Sequence, residues 1–122
     1  MGRPVTLFTG QWADLPFEEV CKKASAWGYE GLEIACWGDH MDVRKAVSDS
    51  DYVAHKLEIL KKYDLKCWAL GAHLSGQCVG DEDDPRLLTF APDELKETPE
   101  KISAWATEEM IFTAQAAEKM GC

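Results

Sequence analysis

The sequence predicts an α/β fold of parallel strands, arranged as three consecutive strand–helix units. Runs of apolar, β-branched and aromatic residues at 5–10, 31–37 and 66–72 have the composition of strands. A polar loop, an apolar stripe of helical spacing and a turn residue follow each run. Strands that alternate with helices in this order pair in parallel through right-handed crossovers.

The first unit joins the strand at 5–10 to an amphipathic helix. Asp14 is expected to cap this helix, with Pro16 in its first turn. Gly28 is the residue type that most readily ends a helix in the left-handed conformation. Between these signals, apolar residues recur at helical spacing and are expected to face the core: Phe17, Val20, Cys21, Ala24 and Trp27.

The second unit contains the strand at 31–37 and a helix further along the chain. The polar stretch after this strand includes one weak helical patch at 43–47. Asp49 or Asp51 is then expected to cap a helix. The apolar stripe of this helix consists of Val53, Leu57, Leu60 and Tyr63.

The third unit begins with the strand at 66–72 and closes with a long helix. An acidic connection at 77–97 separates the two elements. Thr98 is the expected N-cap of the helix, with Pro99 at its first position. Gly121 is the expected helix stop.

These units account for residues 1–122 as a single domain. Three parallel strands are too few to cover both faces of a sheet or to close a barrel. The last helix reaches its stop at Gly121, where a fourth strand is expected. We therefore predict the first three βα units of a longer barrel, truncated before strand four. The alternative is a small, complete three-layer domain.

The composition disfavours several classes of partner. Asp and Glu number 22 against 13 Lys and Arg, which gives a net charge of −9 and disfavours nucleic acids and anionic membranes. No apolar run approaches the roughly 20 residues that cross a bilayer. The five cysteines form no C-x-x-C pair, a pattern typical of a reducing compartment. We expect a cytoplasmic protein with neither a nucleic-acid nor a membrane partner.

Two histidines are the candidate catalytic residues. His73 follows the third strand and His40 follows the second, and parallel α/β proteins place their sites at this end of the sheet. An imidazole there can shuttle a proton or hold a substrate hydroxyl. Asp39 precedes His40 and can orient its ring. The alternative for both histidines is a ring that is hydrogen-bonded within a loop.

Four further residues are candidates for substrate binding. Trp37 and Trp12 lie just beyond strand ends, where an indole face can stack on an apolar face of a ligand or pack on a loop. Glu33 lies within the second strand, on the face opposite its apolar neighbours. A charge there needs a partner, which is either a substrate hydroxyl or a structural ion pair. Gln77 is a candidate hydrogen-bonding residue.

The densest acidic run, at 80–85, is a weaker candidate for a cation site. Its carboxylates lack the spacing of a calcium-binding loop. A solvated loop is therefore expected there, and no metal ligand is predicted within the chain.

Several segments resemble a known family. They are 30–40 (EGLEIACWGDH), 73–77 (HLSGQ), 106–110 (ATEEM) and 117–121 (AEKMG). Together they resemble the N-terminal part of the sugar phosphate isomerase/epimerase family, the xylose-isomerase-like TIM barrels. The resemblance extends over essentially the whole chain.

This resemblance implies a (β/α)8 TIM barrel that isomerises, epimerises, dehydrates or cleaves a sugar or keto-sugar. It also implies a divalent metal (Mn, Mg, Co or Zn) held by Glu, Asp, His and Glu from later strands, outside this chain. The segment alone is then expected to be inactive. The alternatives are a non-catalytic fragment or a subunit of a split barrel, held to itself or to the rest of the barrel through its open strand edges. A DNA-repair endonuclease of the same barrel class is disfavoured by the acidic charge.

Overall fold

The computed structural model describes residues 2–81 and 84–122, and its three strands form one parallel sheet. The strands are β1 (Thr6–Phe8), β2 (Gly31–Ala35) and β3 (Lys66–Gly71), in the spatial order β1-β2-β3. Each lies within a run predicted to be a strand, and both neighbouring pairs are parallel. The α/β class with three parallel strands is therefore confirmed.

The described part of the chain contains five α-helices, two more than the three units predict. Their bounds are α1 Phe17–Ala26, α2 Val43–Ser48, α3 Ser50–Lys62, α4 His73–Gly76 and α5 Ile102–Met120. Helix α2 corresponds to the weak helical patch, and α4 is a short turn that follows β3 directly. Short 3₁₀ segments span Thr9–Trp12, Pro85–Thr89, Asp93–Leu95 and Pro99–Lys101. None of the helices within these described ranges is long and apolar enough to cross a membrane.

Four of the helices, α1, α2, α3 and α5, pack on one face of the sheet, which we call the helical face. Strand residues that point to this face are buried with helix residues in one apolar core. Right-handed crossovers between strands in sequence order place all helices on one side, as observed. The strands contribute Leu7, Leu32, Ile34 and Cys67, and the helices contribute residues that include Phe17, Cys21, Ala46, Leu60 and Ala116.

The opposite side of the sheet, which we call the open face, is less covered. It carries Thr6, Phe8, Glu33 and Trp68, each of which is exposed or half-buried. Phe8 is the register partner of Glu33, so these two side chains point to the same side. The sheet therefore presents aromatic and acidic groups on a face without a helical layer.

A β-bulge interrupts the pairing of β3 with β2. Two successive residues of β2 pair with Cys67 and Ala69, so Trp68 is the extra residue. Its indole lies over Gly31, where a Cβ atom would come within 2.1 Å of Trp68 Cδ1. Trp68 is nevertheless 47% exposed, rather than packed in a core.

Three details of the helix prediction are wrong. Helix α1 begins after Pro16 and receives no capping bond from Asp14, because the side chain of Asp39 caps it instead. Helix α5 follows the 3₁₀ turn at Pro99–Lys101, and Thr98 makes no side-chain capping bond. Trp27 lies just beyond the end of α1, and it is 55% exposed rather than part of the core.

Candidate functional site

Aromatic side chains from all three βα units meet at the carboxyl edge of the sheet. Phe8 ends β1, Trp37 lies two residues beyond β2, and His73 opens α4 after β3. The ring centroids of Trp37 and His73 are 5.2 Å apart in an edge-on arrangement. The Phe8 centroid lies 5.8 Å from that of Trp37 and 5.6 Å from that of His73. We call these three residues the aromatic cluster.

The aromatic cluster is accessible from solvent. His73 is exposed, and Phe8 and Trp37 are half-buried. Edge-on and tilted contacts are the arrangements that aromatic rings prefer, so the rings hold each other in place. An imidazole that is both oriented by neighbours and open to solvent can exchange a proton or a hydrogen bond with a ligand.

Glu33 adds a carboxylate beside the aromatic cluster. Both Glu33 and Phe8 lie close to Gly71. A Cβ atom on Gly71 would be 3.0 Å from Oε1 of Glu33 and 2.7 Å from Cε2 of Phe8. No ion pair formed by the described residues involves Glu33. This carboxylate can therefore accept hydrogen bonds from hydroxyl groups of a ligand.

Gly10 leaves the space in which two of the rings pack. A Cβ atom there would lie 2.4 Å from Cζ of Phe8 and 2.6 Å from Cζ2 of Trp37. Both distances are well below a normal van der Waals contact, so one or both rings would have to move.

We expect Gly10→Ala to displace the aromatic cluster. The near-UV circular dichroism of the tryptophans should change, and the free energy of unfolding should fall by about 1–3 kcal/mol because the site becomes overpacked. Gly80→Ala is the matched control, since a Cβ there would meet no atom of the described residues within 4 Å. A near-UV spectrum of Gly10→Ala identical to that of the control would contradict this packing.

His40 lies in the interior, below the loop that carries Trp37. It is 0% exposed, with Nδ1 2.9 Å from Thr9 Oγ1 and Nε2 3.0 Å from the carbonyl oxygen of Leu15. Thr9 Oγ1 also accepts a hydrogen bond from the backbone N–H of Ala35. The carbonyl oxygen of Leu15 can only accept, so Nε2 of His40 is the donor in that bond. The geometry therefore favours a structural role for His40 over the predicted catalytic one.

Asp39 and Lys56 anchor the same loop to the helical layer. Asp39 Oδ2 accepts the backbone N–H of Phe17 at 2.9 Å and so caps α1. The Nζ atom of Lys56 donates to the backbone oxygen of Asp39 at 2.6 Å and lies 4.4 Å from the ring centroid of Phe17. Burial lowers the pKa of Lys56, and the Asp39 charge partly opposes this shift. The loop before His40 is thus held in place through both the side chain and the backbone oxygen of Asp39.

The side chains of Trp12 and Gln77 contact residues outside the aromatic cluster. The Trp12 ring centroid is 5.8 Å from that of Trp27, beyond the end of α1. Gln77 is exposed, and its Nε2 atom donates to the backbone oxygen of Leu74 at 3.1 Å. Their roles in substrate binding stay predictions. Of the six residues proposed from the sequence, the structure brings together three: His73, Trp37 and Glu33.

A cavity of about 440 Å³ lies between the acidic connection and the start of α5. None of its lining residues, which fall at 78–88 and 99–103, belongs to the aromatic cluster. Asp81 and Asp84 line it, whereas the other two acidic residues of the predicted solvated loop, at 82 and 83, lie outside the described residues. Arg86 donates hydrogen bonds to Asp84 and lowers its pKa to about 2.

The residues that the structure describes do not form a metal site. Within residues 2–81 and 84–122, no three His, Cys, Asp or Glu side chains are arranged to hold a metal ion. The divalent metal implied by the resemblance therefore has no ligand set here, and no chemical step is derived through it.

No family model matches the chain, and no curated protein matches it as a relative. The resemblance described above therefore depends on the sequence motifs alone.

The sequence reasoning overlooked Phe8, Thr9, Gly10 and Gly71. Phe8 carried a usable signal, because an aromatic residue at the end of the first strand must lie near the ends of its parallel neighbours. The other three carried no such signal. Thr9 matters through a hydrogen bond to a distant histidine, and the two glycines matter through the side chains that pack over them.

Proposed function

We propose that this chain forms one wall of a binding site for a sugar or keto-sugar. In this proposal it is the N-terminal segment of a metal-dependent isomerase- or epimerase-type enzyme with a (β/α)8 barrel, and it is inactive alone. The observation that carries the proposal is the convergence of the aromatic cluster and Glu33 at the carboxyl edge of the sheet. Barrel enzymes hold their substrates at this edge.

The placement of the helices supports the barrel. The alternative, a small three-layer domain, has helices on both faces of its sheet. Here, α1, α2, α3 and α5 share one core on the helical face. An open face that bears Phe8, Glu33 and Trp68 is the arrangement expected of strands that line a barrel interior.

Each group of the site has a chemical role in the proposal. The exposed part of Trp37 offers an apolar surface to the C–H face of a sugar. Glu33 accepts hydrogen bonds from the hydroxyl groups. His73 exchanges a proton with a substrate oxygen as a proton moves next to the carbonyl. Dehydration or cleavage of a keto-sugar begins with the same enolising step, so it is the alternative reaction on this fold.

The first experiment is a titration of the protein with a ketohexose and, separately, with the corresponding polyol. Tryptophan fluorescence and calorimetry report binding. We expect Trp37→Ala and Glu33→Gln each to weaken binding about ten-fold, because each removes one ligand contact of roughly 1.4 kcal/mol. His55→Ala is the control, since His55 lies exposed on α3.

Three results would contradict the proposal in whole or in part. If neither compound changed the fluorescence, or if His55→Ala weakened binding as much as Trp37→Ala, the site would not be a sugar site. If the wild type and Glu33→Gln bound the ketohexose with equal affinity, the Glu33 carboxylate would have no role in binding.

A second candidate function is a non-catalytic subunit of a split barrel, and exposed apolar residues favour it. Val5, Trp27, Trp68 and Ile111 are 58%, 55%, 47% and 56% exposed, respectively. In addition, β1 and β3 are both edge strands of the described sheet. Size-exclusion chromatography with light scattering decides between an assembly and a monomer. A folded monomer at all concentrations would argue against the split barrel.

A further inference from the structure

Two thiols are in direct contact at the amino end of β3. Cys67 lies in β3 on the helical face, and Cys122 follows the end of α5. Their Sγ atoms are 3.4 Å apart, although the two residues are separated by 55 positions in the sequence. A disulfide bond is about 2.05 Å long, so a small movement of the sulfur atoms brings the pair to bonding distance.

The two thiols differ in their access to solvent. Cys67 is 8% exposed and thus buried, whereas Cys122 is exposed to solvent. Burial raises the pKa of Cys67, and the contact with Cys122 raises it further. A reagent in solution therefore meets Cys122 first. Gly121 precedes it with a positive φ of 78°, so the chain has already left the helix at this point.

We propose that Cys67 and Cys122 form a reversible disulfide, which makes this pair a redox-modification site. The oxidant is a low-molecular-weight disulfide of the glutathione class. The Sγ atoms of Cys67 and Cys122 contact each other as well as backbone oxygens, whereas the described hydrogen bonds of the Cys36 and Cys78 thiols go only to the backbone oxygens of Ile34 and Leu74. The inference does not depend on the proposed sugar site, which lies at the carboxyl edge of the sheet.

The disulfide forms in two exchange steps. The thiolate of Cys122 attacks one sulfur of the small disulfide, and one small thiolate leaves. The thiolate of Cys67 then attacks the Cys122 sulfur of this mixed disulfide, and the second small thiolate leaves. The protein loses two protons and two electrons, and the small disulfide takes them up as two thiols. The 3.4 Å contact favours this second step over a reaction between two chains.

The new bond would join the amino end of β3 to the end of α5. It closes a chain segment of 55 residues, which restricts the unfolded state. We expect the oxidised protein to melt at a temperature roughly 10 °C higher than the reduced protein.

The experiment begins with fully reduced protein, which is incubated with oxidised glutathione, quenched with acid and digested. Mass spectrometry should find the peptides of Cys67 and Cys122 joined within one chain. The rise in Tm should disappear on treatment with dithiothreitol. Cys122→Ser should show no rise, and it should fold because Cys122 is exposed. Cys36→Ser is the control that should retain the full rise.

Three results would overturn the inference. The first is glutathione that stays on Cys122 without transfer to Cys67. The second is a disulfide between two chains. The third is a rise in Tm that persists in Cys122→Ser, which would assign the effect to another pair of cysteines. Should Cys122→Ser fail to fold, the peptide map of the wild-type protein decides the matter by itself.

Discussion

Replacing His40 with alanine is expected to lower the free energy of unfolding by about 3–5 kcal/mol. The ring is 0% exposed, so its removal leaves a cavity in the interior. The carbonyl oxygen of Leu15 loses its donor, and the hydroxyl of Thr9 loses its imidazole partner. Urea denaturation, monitored by far-UV circular dichroism, measures the change in the free energy of unfolding.

Two further variants separate the cavity from the hydrogen bonds. His40→Phe keeps a ring of similar size without either nitrogen, and His40→Gln can still present an N–H group to Leu15. We expect the glutamine variant to recover part of the loss, because a buried acceptor left unpaired is costly. His55→Ala is the control on the exposed side of α3 and should change stability by no more than about 0.5 kcal/mol. Equal effects of His40→Ala and His55→Ala would contradict the buried network.

Gly31→Ala is expected to lower the free energy of unfolding by about 2–4 kcal/mol. A Cβ at this position would lie 2.1 Å from Cδ1 of Trp68 and 2.6 Å from the backbone oxygen of Lys66. The indole can swing away, because Trp68 is 47% exposed. The Lys66 oxygen belongs to the strand that pairs with Gly31, so β2 and β3 would have to move apart.

A double-mutant cycle with Trp68→Ala identifies the obstacle. We expect Trp68→Ala to restore only part of the stability lost in Gly31→Ala, because the backbone contact with Lys66 remains. Thermal and urea unfolding of the four proteins gives the coupling energy. Complete recovery would show that the indole alone blocks the position. Gly31→Ala as stable as Gly80→Ala would contradict the close approach of the two strands.

The strands and their parallel pairing could be predicted because the signals are local. Each strand is an apolar run between turn residues, and the alternation with helices determines the direction of pairing. The residues that cap the helix starts were harder to predict from the sequence. Asp14 has the right residue type and the right position for a cap, yet the bond to the Phe17 N–H comes from Asp39. Sequence spacing alone does not reveal a cap that arrives from another unit.

The candidate site was predictable to the extent that topology determines it. His73 and Trp37 follow neighbouring parallel strands, so their proximity follows from the sheet. The orientation of His40 does not follow in this way. Gly38, with a φ of 61°, turns the loop between Trp37 and His40, and the imidazole enters the interior instead of facing solvent. Such a turn depends on backbone conformation, which residue spacing does not encode.

The capping of α1 by Asp39 has a consequence for the order of folding. The carboxylate lies 22 residues after the backbone N–H that it binds, and Thr9 likewise binds a backbone N–H 26 residues further on. A helix capped by an adjacent residue can form as soon as its own segment exists. Here each bond forms only when the loop between its two residues closes, which has an entropic cost. We therefore expect the first two βα units to stabilise each other, because α1 gains its cap only when the loop after β2 is in place.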